Sequence, residues 1–139
     1  MNYLLDTCVI SELAKKQGNA SVVNWVQQQN HATLYISSLT LGEIQKGVSK
    51  LPSSPKKDDL QIWLEKDVRE RFTGKIIGVT VSEALQWGKL QAAAEMQGKP
   101  LPLIDSMIAA IAIVQDMVLV TRNTKDVEAS GVNLLNPWL

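Results

Sequence analysis

The stretch "IDSMIAAIAIVQDMVLVTRN", residues 104–123, decides the fold. Its "SMIAAIAIVQ" is apolar nearly all round, so it reads as a buried helix rather than a surface one. "MVLVT" (117–121) follows at once and is continuous in apolar and β-branched residues, as expected of a parallel strand covered on both faces. Working outward, "YLL" (3–5), "LYIS" (34–37) and "IIGV" (76–79) read as strands of the same kind. Helical patterns fill the intervals, around 7–16, 20–29, 38–51, 57–72, 81–97 and 105–115. Leu41, Ile44, Val48 and Leu51, for example, step by three or four and form one apolar stripe. "LPSSP" (51–55) and "GKPLP" (98–102) break helices but are too short to be domain linkers. Strands alternating with helices predict an α/β fold, with a mostly parallel central sheet flanked by α-helices, in a single domain over residues 1–139.

Composition narrows the chemistry. Fourteen basic and fourteen acidic residues cancel, so a nucleic-acid partner would have to be held by a local patch or a partner subunit rather than a global field. Cys8 is the sole cysteine, which excludes an internal disulfide and a cysteine-rich zinc site. The start lacks the charge and apolar core of a signal peptide, and the longest apolar run, Met107 to Val114, is too short to cross a bilayer. The expected location is cytoplasmic, with no membrane partner.

In open parallel sheets, ligands bind at the carboxyl ends of the strands. Asp6 closes the first strand, Glu43 lies one turn into the helix after the second, and Asp105 opens the helix before "MVLVT". Asn123 and Asp126 follow that strand. Each acid has an ordinary explanation. Asp6 and Asp105 sit where a helix cap would sit, and "TLGE" (Thr40 to Glu43) matches a capping box, as "TVSE" (Thr80 to Glu83) does equally well. Asp126 fits an exposed polar loop. Taken together, three acids on one predicted edge exceed what capping needs, and carboxylates brought close repel unless a cation intervenes. Oxygen ligands without histidine suit Mg²⁺ or Mn²⁺ rather than zinc, and such a centre suits metal-assisted phosphodiester hydrolysis.

"YLLDTCVISEL", "SSLTLGEIQKG", "LPLIDSMIAAIA" and "VTRNTKDVEASGVNLLNPW", in this order from Met1 to Leu139, resemble the PIN-domain ribonucleases, specifically the VapC-like and FitB-like toxins of toxin–antitoxin systems. The resemblance implies a Mg²⁺-dependent endoribonuclease with Mn²⁺ as a substitute, an RNA substrate, a cognate antitoxin whose C-terminal segment blocks the groove, and a homodimer. It makes Asp6 and Asp105 the main metal ligands. Glu43 would bind metal directly or through water, or position the attacking water. The fourth site residue is either Asn123 or Asp126. Thr7 and Thr121 flank the site. Two positions depart from the family pattern: Cys8 stands where Asn is usual, and Val127 where Phe is usual. The first change bears on hydrogen bonding around Asp6, the second on packing.

Other residues are not promoted. Cys8 would need a base to act as a nucleophile, and the only histidine, His31, reads as a solvated loop residue. Trp63 is assigned to partner contact, and Lys46, Lys50, Arg69 and Arg71 are candidates for an RNA-facing groove. The competing reading is a catalytically inactive PIN-like domain that binds RNA or protein. An aspartyl-phosphate enzyme is disfavoured, because Cys8 stands where its second aspartate belongs.

Overall fold

A computed structural model describes residues 1–139. Its strands are β1 (Tyr3–Leu5), β2 (Leu34–Ser37), β3 (Ile76–Ile77), β4 (Val118–Val120) and β5 (Leu134–Leu135). They form one sheet in the order β3-β2-β1-β4-β5, and every pairing is parallel. The expectation of a mostly parallel sheet thus understates the regularity. β5 was not anticipated, because two leucines between Asn133 and Asn136 carry no periodic signal. "IIGV" yields only two strand residues, since Gly78 and Val79 leave the sheet before the next helix.

The helices are α1 (Thr7–Ala14), α2 (Ala20–Gln28), α3 (Ser38–Ser49), α4 (Pro55–Ile62), α5 (Arg69–Arg71), α6 (Val81–Met96), α7 (Leu103–Val114) and α8 (Thr124–Val127). The helix expected over 57–72 is α4, a π-helical segment Trp63–Val68, and α5 in unbroken succession. Pro55 sits in its first turn, where its missing N–H costs nothing, and Ser54 caps it by accepting from Lys57 N at 3.2 Å.

Side-chain alternation along the strands builds two cores. Leu5, Leu34, Ile36 and Val120 face a cluster with Val9, Ile10, Val22, Val68 and Phe72, under α1, α2, α3 and the long α4–α5 helix. Leu4, Leu119 and Met117 face the other way, onto Ile108, Ile111 and Ala112 of α7. A strand buried on both faces reads as continuously apolar, which is why "YLL" and "VLV" show no polar face.

The two "T-x-x-E" motifs part company. At Thr80 the capping box is real: Glu83 accepts from Thr80 N and from the Thr80 hydroxyl, and also from Gln115 Nε2 at 2.9 Å. These bonds hold the buried Glu83 carboxyl below the usual range, the Thr80 hydroxyl contributing most. Glu83→Ala removes a cap and strands the Gln115 amide, so urea unfolding should show a loss of about 2 kcal/mol. At Thr40 the expected box is absent. The cap of α3 is Ser37, which accepts from Leu39 N at 2.9 Å, so Thr40 and Glu43 lie inside the helix and are available for other work.

Candidate active site

Parallel strands put every carboxyl end on one edge, and β1 and β4 are neighbours there. Asp6 leaves β1 with its backbone N–H still donating to Val120 O at 3.0 Å. Its side chain then does two things. Oδ1 accepts from Thr7 N at 2.8 Å, capping α1, and Oδ2 accepts from Thr121 Oγ1 at 2.8 Å. The cap and the site are therefore one feature, not alternatives. Cys8 Sγ adds a long contact to Oδ2 at 3.9 Å, and Thr121 Oγ1 in turn accepts from Asn123 N at 3.0 Å.

Thr7 reaches the other way. Its hydroxyl donates to Glu43 Oε1 at 2.6 Å and is hydrogen-bonded to Thr40 Oγ1 at 3.0 Å. Thr40 precedes Glu43 by three residues and so shares its helix face. That spacing, taken for a cap, was the signal that a second hydroxyl belongs to the site. Thr7→Val keeps the side-chain shape but releases Glu43.

Asp105 is the third residue of α7, not its first, and Pro102 is the cap residue. The pure-cap explanation therefore fails for Asp105: no cap bond to its side chain exists, and its carboxylate has no hydrogen-bond partner in the chain. Ser106 beside it is fully buried, accepting from Trp87 Nε1 at 3.0 Å and donating to Leu103 O at 2.8 Å, which ties this turn of α7 to α6. Burial, then the charges of Asp6, Asp126 and Glu43, push the Asp105 carboxyl up to about 6. Asp6 is raised as well, by burial and by the Glu43 charge, against the hydrogen bonds from Thr121 and Thr7.

The structure thus brings Asp6, Glu43 and Asp126 within reach of the Asp105 charge, and Glu43 within reach of Asp6. Asp126, in α8, adds a charge that Asp105 feels; Asn123 precedes α8, its side chain makes no cap bond, and both residues are exposed. The single ion pair in the chain is Lys15 with Glu12, at 3.1 Å, so none of these four acids has a basic partner. No three of them converge tightly enough to form a finished cage. Carboxylates gathered around Asp105, with no basic partner among them, are the oxygen donors a hard divalent ion takes. Mg²⁺ in particular keeps several waters and needs only one or two direct carboxylates.

Cys8 is not a nucleophile here, since burial pushes its thiol up and the Asp6 charge adds to the effect. His31 is exposed, with Nε2 2.6 Å from Arg71 O and its ring tilted over Phe72, far in role from the acids. Val127, where Phe was expected, is buried in the α7 cluster, so the departure is accommodated by packing. Arg69 lines a hollow with Ile76 of β3, Leu64, and Leu41, Gly42 and Gln45 of α3. Lys46 lies one turn beyond Glu43 on α3, and Lys15, Lys16 and Lys56 rim a separate hollow with Trp63. Sequence reasoning also passed over Arg122, which follows Thr121 directly and stacks its guanidinium on Trp138, 4.7 Å from the ring centre.

A wholly parallel α/β sheet carrying a cluster of unpaired acids at its carboxyl edge defines the class. This chain belongs to the PIN-domain family, whose model matches residues 3–129. It is 33% identical over 135 residues to the VapC ribonuclease Y4jK of Sinorhizobium fredii, covering 97% of this chain and 96% of that protein. It is likewise 33% identical to toxin FitB of Neisseria gonorrhoeae, over 97% of each. The structure of FitAB bound to an IR36 DNA fragment contains a chain that superposes with a TM-score of 0.92 at 33% identity, covering 99% of this chain and 96% of that one.

Proposed function

We propose that this chain is the toxin of a toxin–antitoxin pair and acts as a Mg²⁺-dependent endoribonuclease, with Mn²⁺ able to substitute. One observation carries the reading: four carboxylates share one strand edge without a basic partner, in a chain similar along its length to a VapC ribonuclease and to toxin FitB. The functional unit proposed is one domain over residues 1–139 acting in the cytoplasm. Separately, no helix is long and apolar enough to cross a membrane.

Asp6 and Asp105 would hold the cation. Bound there, it supplies Lewis-acid stabilisation of the charge developing on the phosphate and activation of water. Thr121 and the Thr7 N–H fix the Asp6 carboxylate, so its orientation costs no reorganisation during reaction. Glu43, held by Thr7, is oriented to contact the cation through water or to accept a hydrogen bond from the attacking water. Asp126 is the fourth acid.

The partners proposed are single-stranded or structured RNA, an antitoxin whose segment blocks the site, and a second copy of this chain. The exposed Val81, Leu85, Met96 and Leu103 on α6 and at the start of α7 offer an apolar face for that second copy.

The test is cleavage of total RNA by antitoxin-free protein. Activity should require Mg²⁺ or Mn²⁺ and vanish in EDTA. Asp126→Asn should lose about 10²-fold in rate, whereas Asn123→Ala should stay within about threefold, since only the carboxylate adds charge beside Asp105. The reverse ranking would assign the fourth position to Asn123. Protein that binds RNA but never cuts it with either metal would favour the inactive, binding-only reading.

A further inference from the structure

We infer that Arg122, stacked on Trp138, is a positioning residue: the pair holds the end of β4 so that the Thr121 hydroxyl stays on the Asp6 carboxylate. The inference rests on the cation-site reading above. Thr121, Arg122 and Asn123 are consecutive, and the residues on either side of Arg122 are wired to the site. Thr121 Oγ1 donates to Asp6 Oδ2 at 2.8 Å and accepts from Asn123 N at 3.0 Å. Thr121 is buried, whereas Arg122 is exposed. Its guanidinium lies over the Trp138 ring, 4.7 Å from the centre, and takes part in no ion pair. Trp138 belongs to the segment just after β5, and β5 is itself laddered to β4, with Thr121 N donating to Leu135 O at 3.0 Å. The end of β4 is therefore tied to one segment twice, once by main chain and once by the cation–π contact.

The tryptophan is held for its face. Half-buried, it packs on the cluster that contains Leu5 and Val120, and its backbone N–H donates to Asn136 Oδ1 at 2.9 Å, which fixes the turn leading to the ring. Its Nε1 is buried without a partner. A buried indole N–H usually finds an acceptor, so a ring that goes without one is not placed by its polar edge. What it offers is a rigid π surface to a guanidinium, a contact worth about a two- to fivefold shift in an equilibrium at exposed sites. Charge alone does not explain Arg122. The charges that bear on Asp105 are all acidic, from Asp6, Asp126 and Glu43, whereas Arg122 bears on Glu12 of α1. A cation near the acids would oppose a divalent ion, so Arg122 favours that ion by fixing Thr121 and, through it, Asp6. Groups that orient a metal ligand in this way carry affinity without touching the ion.

The experiment titrates antitoxin-free protein with Mn²⁺ in the absence of RNA and follows the free ion by electron paramagnetic resonance, so the readout is affinity rather than cleavage. Trp138→Leu keeps apolar packing and every charge but removes the π face. It should weaken Mn²⁺ binding about three- to fivefold, the worth of the contact passed on in full. Trp138→Phe retains a face and should stay within about twofold of wild type. Thr121→Val should weaken binding by about tenfold or more. Adding Trp138→Leu to Thr121→Val should change nothing further, because the two act in series. Arg122→Gln sits at an exposed position where the fold survives, so it decides the matter if Trp138→Leu misfolds. It should weaken Mn²⁺ binding, although losing a cation would by charge alone tighten it. RNA affinity in EDTA and its salt dependence should not move. Variants at both positions that bind Mn²⁺ as well as wild type, or better, overturn the inference and leave the cation-site reading standing. Equal losses with and without Thr121→Val overturn it too, since the effect then bypasses Thr121. An unchanged Mn²⁺ affinity with the slope of log RNA affinity against log salt flattened by about 0.7 makes Arg122 a phosphate contact instead. A wild type that binds no Mn²⁺ is a failure of the cation-site reading, and the inference falls with it.

Discussion

Asp105→Asn is expected to lower RNA cleavage by about 10³-fold or more, near 4 kcal/mol of transition-state stabilisation, while making the metal-free protein more stable. The two effects share one cause. Asp105 is pushed up to about 6 by burial and by Asp6, Asp126 and Glu43, so in the absence of a cation its charge opposes folding. The sign follows from proton counting. Below about pH 4 the group is protonated in folded and unfolded chains alike and contributes nothing. Between about 4 and 6 the folded chain keeps a proton that the unfolded chain releases, so stability falls as pH rises. Above 6 the full cost is present. The side chain is only about half-buried, so solvent screening reduces that cost to about 1 kcal/mol. Melting in EDTA should therefore show Asp105→Asn some 3–5 °C above wild type at pH 7, with the gap closed near pH 3.5. Adding Mg²⁺ should reverse the order by stabilising the wild type alone. A mutant that retained a tenth of the activity, or melted below wild type at pH 7, would remove Asp105 from the centre of the site.

Phe72→Ala is expected to have the largest effect on folding, a loss of about 3–5 kcal/mol. Phe72 is among the largest fully buried side chains, and it closes the cluster in which the end of the long helix meets Ile36 and Val68. Few atoms there can collapse into the void, because the backbone turns immediately: Lys75 N donates to Phe72 O at 2.8 Å, and Gly74 takes a positive φ of 74°. A domain of this size holds roughly 5–15 kcal/mol in all, so the variant should melt some 10–20 °C lower and express poorly. Ile62→Ala, at a residue 53% exposed and outside both the core and the proposed dimer face, serves as the control and should change stability by less than about 0.5 kcal/mol. A small loss for Phe72→Ala would mean that the core near β3 repacks freely.

The limits of sequence reading are visible in single residues. "TLGE" and "TVSE" are alike as strings, yet only Thr80 and Glu83 form a capping box, because Ser37 begins α3 three residues earlier than the motif suggests. Asp105 looked like a helix opener because the prolines before it stop the chain; the helix in fact starts at Leu103, and that shift removes the capping explanation. Asn123 and Asp126 could not be separated on paper, because both are polar residues within one turn and both are exposed where α8 begins. Lys46, Lys50, Arg69 and Arg71 were grouped by charge alone, whereas Lys15 and Lys16, just after α1, meet Lys56 of α4 only across a hollow of the folded chain.

By itself, the sequence determined the alternation of buried strands with helices, hence a parallel sheet, hence a carboxyl edge on which Asp6, Glu43 and Asp105 had to fall. Those properties are local: the apolar period of a segment and its order along the chain set them. Only the tertiary structure decided which hydroxyl holds which carboxylate, and that Asp105 lies within α7 with no cap bond to its side chain. Those properties depend on contacts such as Thr7 with Glu43 and Asp6 with Thr121, separated by 36 and 115 residues, for which the sequence carries no periodic signal.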